Sequence, residues 1–213
     1  MTTETMTIHK ALAELKVLEK RIYGAIDEAK FCQTNRHSNE KIEGISIEDY
    51  KKRIQSSYDK VNDLISRRDA IKRAVSHSNA VTEVEIAGVK YTVAVAIEMR
   101  NHGIEFKREL LNKMKDQYGK AISILAVKNG VELEKKVEDQ IVALYGQKEN
   151  GTDPERIKAT RKELMTQYSY DLIDPLKLGE VMNQLEKEIN DFTSEVDSAL
   201  STSNALTTIT IEY

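Results

Sequence analysis

The chain has one cysteine, two prolines, no tryptophan and 6% aromatic residues among its 213. A lone cysteine, Cys32, excludes an internal disulfide and suits a reducing compartment. Scarce prolines and aromatics beside 31% charged residues describe long charged helices with narrow apolar seams, not a compact α/β enzyme. A formal net charge of -3 provides no global basic field, which argues against a nucleic-acid partner. No apolar run approaches the roughly 18 residues that a membrane span needs. The opening residues Met1 to Met6 lack the basic and apolar regions of a signal peptide. These absences predict a cytoplasmic protein without stable membrane insertion. Catalytic signatures are missing too: no Gly-rich phosphate loop, no His-Glu-x-x-His, no paired Glu-x-x-His and no Gly-x-Ser-x-Gly. The chain therefore reads as a non-enzyme with no cofactor.

What is present is a repeat. Ser76-His77-Ser78-Asn79-Ala80-Val81-Thr82-Glu83-Val84-Glu85-Ile86 returns as Ser201-Thr202-Ser203-Asn204-Ala205-Leu206-Thr207-Thr208-Ile209-Thr210-Ile211. Each copy starts where a helical pattern stops and ends in period-2 alternation of β-branched residues. Each is expected to be a helix end, an Asn-containing exit and a short strand. The preceding helices echo one another, Val61-Asn62-Asp63-Leu64 against Ile189-Asn190-Asp191-Phe192, if a three-residue gap is allowed. The repeat spans about 45–86 and 173–211 of a single elongated helical domain, 1–213.

Around it the chain reads as helices. Ile8, Ala11, Leu15, Leu18, Ile22, Ala25 and Ala29 form a heptad seam from about Thr7 to Phe31. Gln33 to Gly44 is a polar loop, and Ser46 caps a second helix ending near Ser78-Asn79. Val81 to Ile86 and Val89 to Val93 flank Ala87-Gly88 as a two-residue hairpin, to which Thr207 to Glu212 adds a third strand. Thr92 caps a long third helix whose apolar stripe drifts. Asn129-Gly130 breaks it through a left-handed glycine, and Val131 to Tyr145 follows. Gly146 to Thr152 reads as a mobile polar link. Asp153-Pro154 and Asp174-Pro175 start the last two helices with Pro in the first position. The fold class is thus mainly α: an antiparallel coiled-coil helical bundle with a small β-sheet, hairpin 81–93 plus strand 207–212, at one end.

Candidate site residues are few. Glu98, His102 and Glu105 share a helical face but make only a partial metal shell, so they read as a solvated face. Cys32 with His37 nearby in sequence reads as a plain thiol. The basic cluster Arg67, Arg68, Lys72 and Arg73 is either a solvated face or one wall of an anion site. In the second case Arg73 and His77, one turn apart, approach Lys90, Tyr91 and the helix N-terminus at Thr92. Asn79 and Asn204 either donate to such a ligand or serve structurally at the helix exits. The ligand-binding set is therefore Arg73, His77, Asn79, Lys90, Tyr91, Thr92 and Asn204, for a small anionic, nucleotide-like molecule.

Leu64-Ile65, Asn79, Thr82, Gly88, Thr92 and Ala96, with Asn204, Thr207 and Thr208 near the end, resemble the pattern of the septicolysin-like family of small helical bacterial and phage proteins. Ala74, Ser76 and Ala205 depart from that pattern. The resemblance implies a helical, oligomeric protein. Taken together, the readings lead to a homo-oligomeric helical binding protein that sequesters a small anion, as a phage anti-defence sponge would. The alternatives are a structural coiled-coil assembly or virion component, and a septicolysin-like membrane-active toxin.

Overall fold

A computed structural model describes residues 2–146 and 153–213; 147–152, most of the polar link, lie outside the described residues. The protein is mainly α-helical with small antiparallel β pairs. In order, the elements are β1 (Thr3–Thr7), α1 (Ile8–Glu28), β2 (Lys41–Ile42), β3 (Ile45–Ser46), α2 (Ile47–Val81), β4 (Glu83–Ile86) and β5 (Val89–Thr92). There follow α3 (Val93–Glu98), a π-helical turn (Met99–Gly103), α4 (Ile104–Asn129), α5 (Val131–Tyr145), α6 (Pro154–Tyr168), α7 (Leu178–Leu206) and β6 (Thr208–Glu212). The chain divides into two compact units, Met1–Gly103 with Asp191–Tyr213, and Ile104–Asn190.

The first unit contains both strand segments of the repeat. Its apolar core gathers Met6, Ile8, Ala11 and Leu18 with Ala70, Ile71, Val75, Ile209 and Ile211. Because the start of α1 clusters with the end of α2, the two helices run antiparallel. The α1 seam faces inward as its spacing predicts, with Ile8, Ala11, Leu18, Ile22 and Ala25 buried. Ser46 caps α2 by accepting from the Asp49 N–H at 3.1 Å and donates in return to the Asp49 carboxylate at 2.8 Å.

The β-sheet differs from expectation. β6 does not join the hairpin; it pairs antiparallel with β1 in the register Thr3↔Glu212 to Thr7↔Thr208, while β4 pairs only with β5. The physical reason lies in the opening residues, whose alternation of exposed Thr3 and Thr5 with buried Met6 fits one buried face opposite Ile209 and Ile211. β2 and β3 form a further two-residue pair across the end of the loop expected from Gln33 to Gly44.

The repeat is realised, with its helix exits two residues later than expected. α2 ends at Val81 and α7 at Leu206, so Asn79 and Asn204 lie in the last helical turns and are half-buried. The exit is made by threonine: the Thr82 N–H donates to the Ser78 carbonyl and the Thr207 N–H to the Ser203 carbonyl, both at 2.8 Å. Both preceding helices are unbroken, so no three-residue gap is needed. In the ungapped register, buried Ile71 and Val75 match buried Val196 and Leu200.

A second repeat accompanies the first. Thr7-Ile8-x-x-Ala11-Leu12 matches Thr92-Val93-x-x-Ala96-Ile97. Thr7 caps α1 by accepting from the Lys10 N–H, and Thr92 caps α3 by accepting from the Val95 N–H. The Ile8 N–H donates to the Thr207 carbonyl at 2.9 Å, and the Val93 N–H to the Thr82 carbonyl at 2.8 Å. Each copy is thus one device: a helix leaves through Thr into a strand, and the paired strand enters the next helix through Thr. One copy is α2–β4 with β5–α3; the other is α7–β6 with β1–α1.

The second unit has its own core of Leu133, Val137, Ile141 and Ile157, flanked by Tyr145, Leu164, Met165 and Tyr168. The break after Asn129 falls where expected, but for another reason. Gly130 has a negative φ of -94, and a Cβ there would meet the Ala126 carbonyl oxygen at 2.8 Å, so close approach demands the glycine. Asn129 also accepts from the Tyr170 N–H at 2.7 Å and donates to its carbonyl at 2.8 Å. Asp153 caps α6 with Pro154 in the first turn. α7, by contrast, starts at Leu178, not at Pro175. The Asp174 carboxylate accepts from the Leu178 N–H at 2.9 Å, and Lys177, at φ 54, turns the chain before the helix begins.

Candidate functional site

The anion site read from the sequence centres on the β4–β5 hairpin. Its turn is tight because Ala87 and Gly88 both take positive φ, 54 and 74, as a type I′ connection requires. Ala87 is strained in that conformation, and its N–H is held by the Glu195 carboxylate of α7 at 2.6 Å. Tyr91 packs edge-on against Phe192, ring centroids 5.7 Å apart, so it belongs to the α7 contact. The pairing sets Lys90 directly opposite Glu85 and 4.0 Å from the Glu83 carboxylate. Two carboxylates, Glu83 and Glu85, therefore flank the one hairpin lysine.

The helix N-terminus at Thr92 is also occupied. The Val93 N–H goes to the Thr82 carbonyl and the Val95 N–H to the Thr92 hydroxyl, which leaves little donor capacity for an anion. Arg73 and His77 lie exposed on α2, one turn apart. Asn204 belongs to the other copy, at the end of α7. The set Arg73, His77, Asn79, Lys90, Tyr91, Thr92 and Asn204 is thus distributed over two equivalent helix exits and an acid-flanked hairpin. Asn79 and Asn204 lie half-buried in the last turns of α2 and α7, whose exits are made by Thr82 and Thr207.

The basic cluster on α2 divides. Arg68 pairs with its neighbour Asp69 at 2.8 Å, and Lys72 and Arg73 are exposed. Arg67 is different: only 18% of its side chain is exposed, and it reaches Glu14 of α1, Glu4 of β1 at 2.8 Å and the Tyr213 hydroxyl. Its guanidinium also lies 4.8 Å from the centre of the Tyr213 ring. The hydrogen bond to Glu14, followed by that to Glu4, holds Arg67 above the ordinary guanidinium range. Arg67, then Lys10, holds the Glu4 carboxyl below its usual value. This is a latch across the β1–β6 pair. The nearby signal in sequence is only an arginine among four basic residues, because its acid partners are more than fifty positions away.

Glu98, His102 and Glu105 are all exposed, and among the described residues no group of three or more His, Cys, Asp or Glu is placed to hold a metal ion. Cys32 is exposed. The drifting stripe of the third helix has a local cause in the π-helical turn Met99–Gly103, which adds a residue to the helical period.

The second unit holds a groove of about 410 Å³ between α4 and α7, floored by Leu110, Met114, Val181 and Leu185 and edged by Glu180, Gln184 and Glu188. Lys107 to Glu188 at 3.0 Å and Lys115 to Glu186 at 2.8 Å bridge the same helices. Leu110 is half exposed and Phe106, one turn away on α4, is 74% exposed. Comparison with protein families, with curated proteins and with solved structures finds no match for this chain.

Proposed function

We propose that this is a non-enzymatic, homo-oligomeric helical binding protein that works in the cytoplasm. One observation carries the reading. In the second unit Phe106, Ile124, Val131, Leu144 and Ile173 are each more than half exposed, apolar surface of the kind that a partner covers. The α4–α7 groove suits a second copy, because α4 is net basic and the 178–190 stretch of α7 net acidic. A two-fold contact would set each basic edge against an acidic one. No helix among the described residues is long and apolar enough to cross a membrane.

Native mass spectrometry of the purified protein tests the proposal. It should show a multimer that carries a copurified small molecule. A multimer that never carries one supports the structural-assembly alternative. A bare monomer contradicts both.

A further inference from the structure

The connection between α1 and α2 encloses a cavity of about 300 Å³ that the hairpin reading of the sequence left unused. Its floor is apolar, built from Ile42, Ile47 and Ile54 with Tyr50, which is 2% exposed. Its polar lining comes from Arg36, His37 and Lys51, with the amides of Gln33 and Asn35, and no carboxylate takes part. Two of the nearby acids are already engaged. Glu43 pairs with Lys30 and lies 3.8 Å from Arg53, and Asp49 is taken by Ser46 and, at 3.7 Å, by Lys52. Arg36, His37 and Lys51 form no ion pair or side-chain hydrogen bond with the described residues, whereas most arginines of this chain do.

The loop is also pre-shaped. The Asn39 N–H donates to the Arg36 carbonyl at 2.9 Å, and the Asn35 side chain donates to the Asn39 carbonyl at 3.1 Å. The β2–β3 pair fixes Ile42 opposite Ile45 immediately before α2. Two unpaired cations and an imidazole thus face one apolar-floored hollow, the arrangement that receives an anion with a planar or apolar body.

We infer that this cavity binds a small organophosphate of mononucleotide size, the phosphate meeting Arg36 and Lys51 and the body lying on the Ile42–Ile47–Tyr50 floor. The site names the ligand class of the proposed binding protein and rests on that reading only for its biological use. Titration calorimetry of the full chain with AMP, inorganic phosphate and adenosine tests it. AMP should bind at least tenfold more tightly than either adenosine or phosphate, since each supplies half of the contacts. Arg36→Gln and Lys51→Gln, both at exposed positions, should each weaken AMP about tenfold, the loss of one charged hydrogen bond. Neither should change the solution mass, whereas Leu110→Glu should change the mass and leave AMP binding alone. Absence of AMP binding, equal binding of AMP and adenosine, or an unaffected Arg36→Gln/Lys51→Gln double variant overturns the inference.

Discussion

The two copies of the helix–Thr–strand device reach the same geometry by different means. In the α2–β4/β5–α3 copy the strands are joined by Ala87-Gly88, four residue pairs suffice, and Glu195 pins the turn. In the α7–β6/β1–α1 copy no turn joins the strands. The ladder is longer, with five pairs, a Thr5–Thr210 hydroxyl bond at 3.0 Å and a further Thr2 N–H to Tyr213 carbonyl bond at 2.9 Å. Position 67 of α2 and position 192 of α7 are equivalent in the ungapped register, yet one is the Arg67 latch and the other the Phe192 edge contact with Tyr91. A short covalent turn makes the hairpin local and inexpensive to close. Where the partners are some 200 positions apart, extra pairs and a polar clamp replace it.

Perturbations that separate the copies should differ in size. The largest effect is expected from removing everything after Asn204, which strips buried Ile209 and Ile211 from the core and exposes the β1 edge. Denaturant unfolding should show a loss of more than about 4 kcal/mol, from two buried isoleucines and a lost ladder. An unchanged midpoint would show that β6 is not integral to the first unit. Phe192→Ala should cost about 3–5 kcal/mol, as truncation of a buried aromatic does. Arg67→Ala should cost less, about 2 kcal/mol, because its partners Glu4 and Glu14 can still find water. The reverse order would mean that the polar latch, not the aromatic contact, is the stronger of the two.

The latch also predicts a pH dependence. Glu4 has a lowered folded-state pKa, so its contribution is present above the ordinary carboxylate value and is lost as pH falls through the folded one. In acid titrations of stability, Glu4→Gln should flatten the decline on the acidic side relative to wild type. Smaller still are the caps. Thr7→Ala and Thr92→Ala should each cost about 1 kcal/mol, and equal values would show the two copies to be energetically alike at this point. Smallest is Tyr50→Phe, in the first turn of α2. The Tyr50 hydroxyl is buried without a hydrogen bond of normal geometry, although it helps to lower the Glu43 carboxyl after Lys30, the main cause. Removing it should leave stability unchanged or raise it by up to about 1 kcal/mol, since an unsatisfied buried group is costly.

Much of this architecture is legible in the residues. The helix seams, the Ser46, Thr92 and Asp153 caps, the hairpin and the repeat follow from periodicity and from side chains with one local use. The partner of β6 is harder to see. Thr3-Glu4-Thr5-Met6-Thr7 contains a single large apolar residue, so its alternation is faint until it stands opposite Thr208-Ile209-Thr210-Ile211. Thr7-Ile8-x-x-Ala11 against Thr92-Val93-x-x-Ala96 is the available clue, because two helix entries with the same cap and buried positions imply two strands leading into them. Asn79 and Asn204 point to a helix exit, but the exit belongs to Thr82 and Thr207. Asparagine marks turns by its own side-chain preference, and here the backbone bonds of the threonines decide. The Arg67 latch and the Arg36–Lys51 cavity join positions far apart or on a loop without periodicity, where spacing carries no signal.

The proposed oligomer is tested most directly by sedimentation equilibrium of the full chain over a dilution series. The exposed apolar side chains of the second unit predict a mass that is a multiple of 24.2 kDa at micromolar concentration and falls toward the monomer in Leu110→Glu. A wild type that stays at 24.2 kDa at every concentration would contradict it.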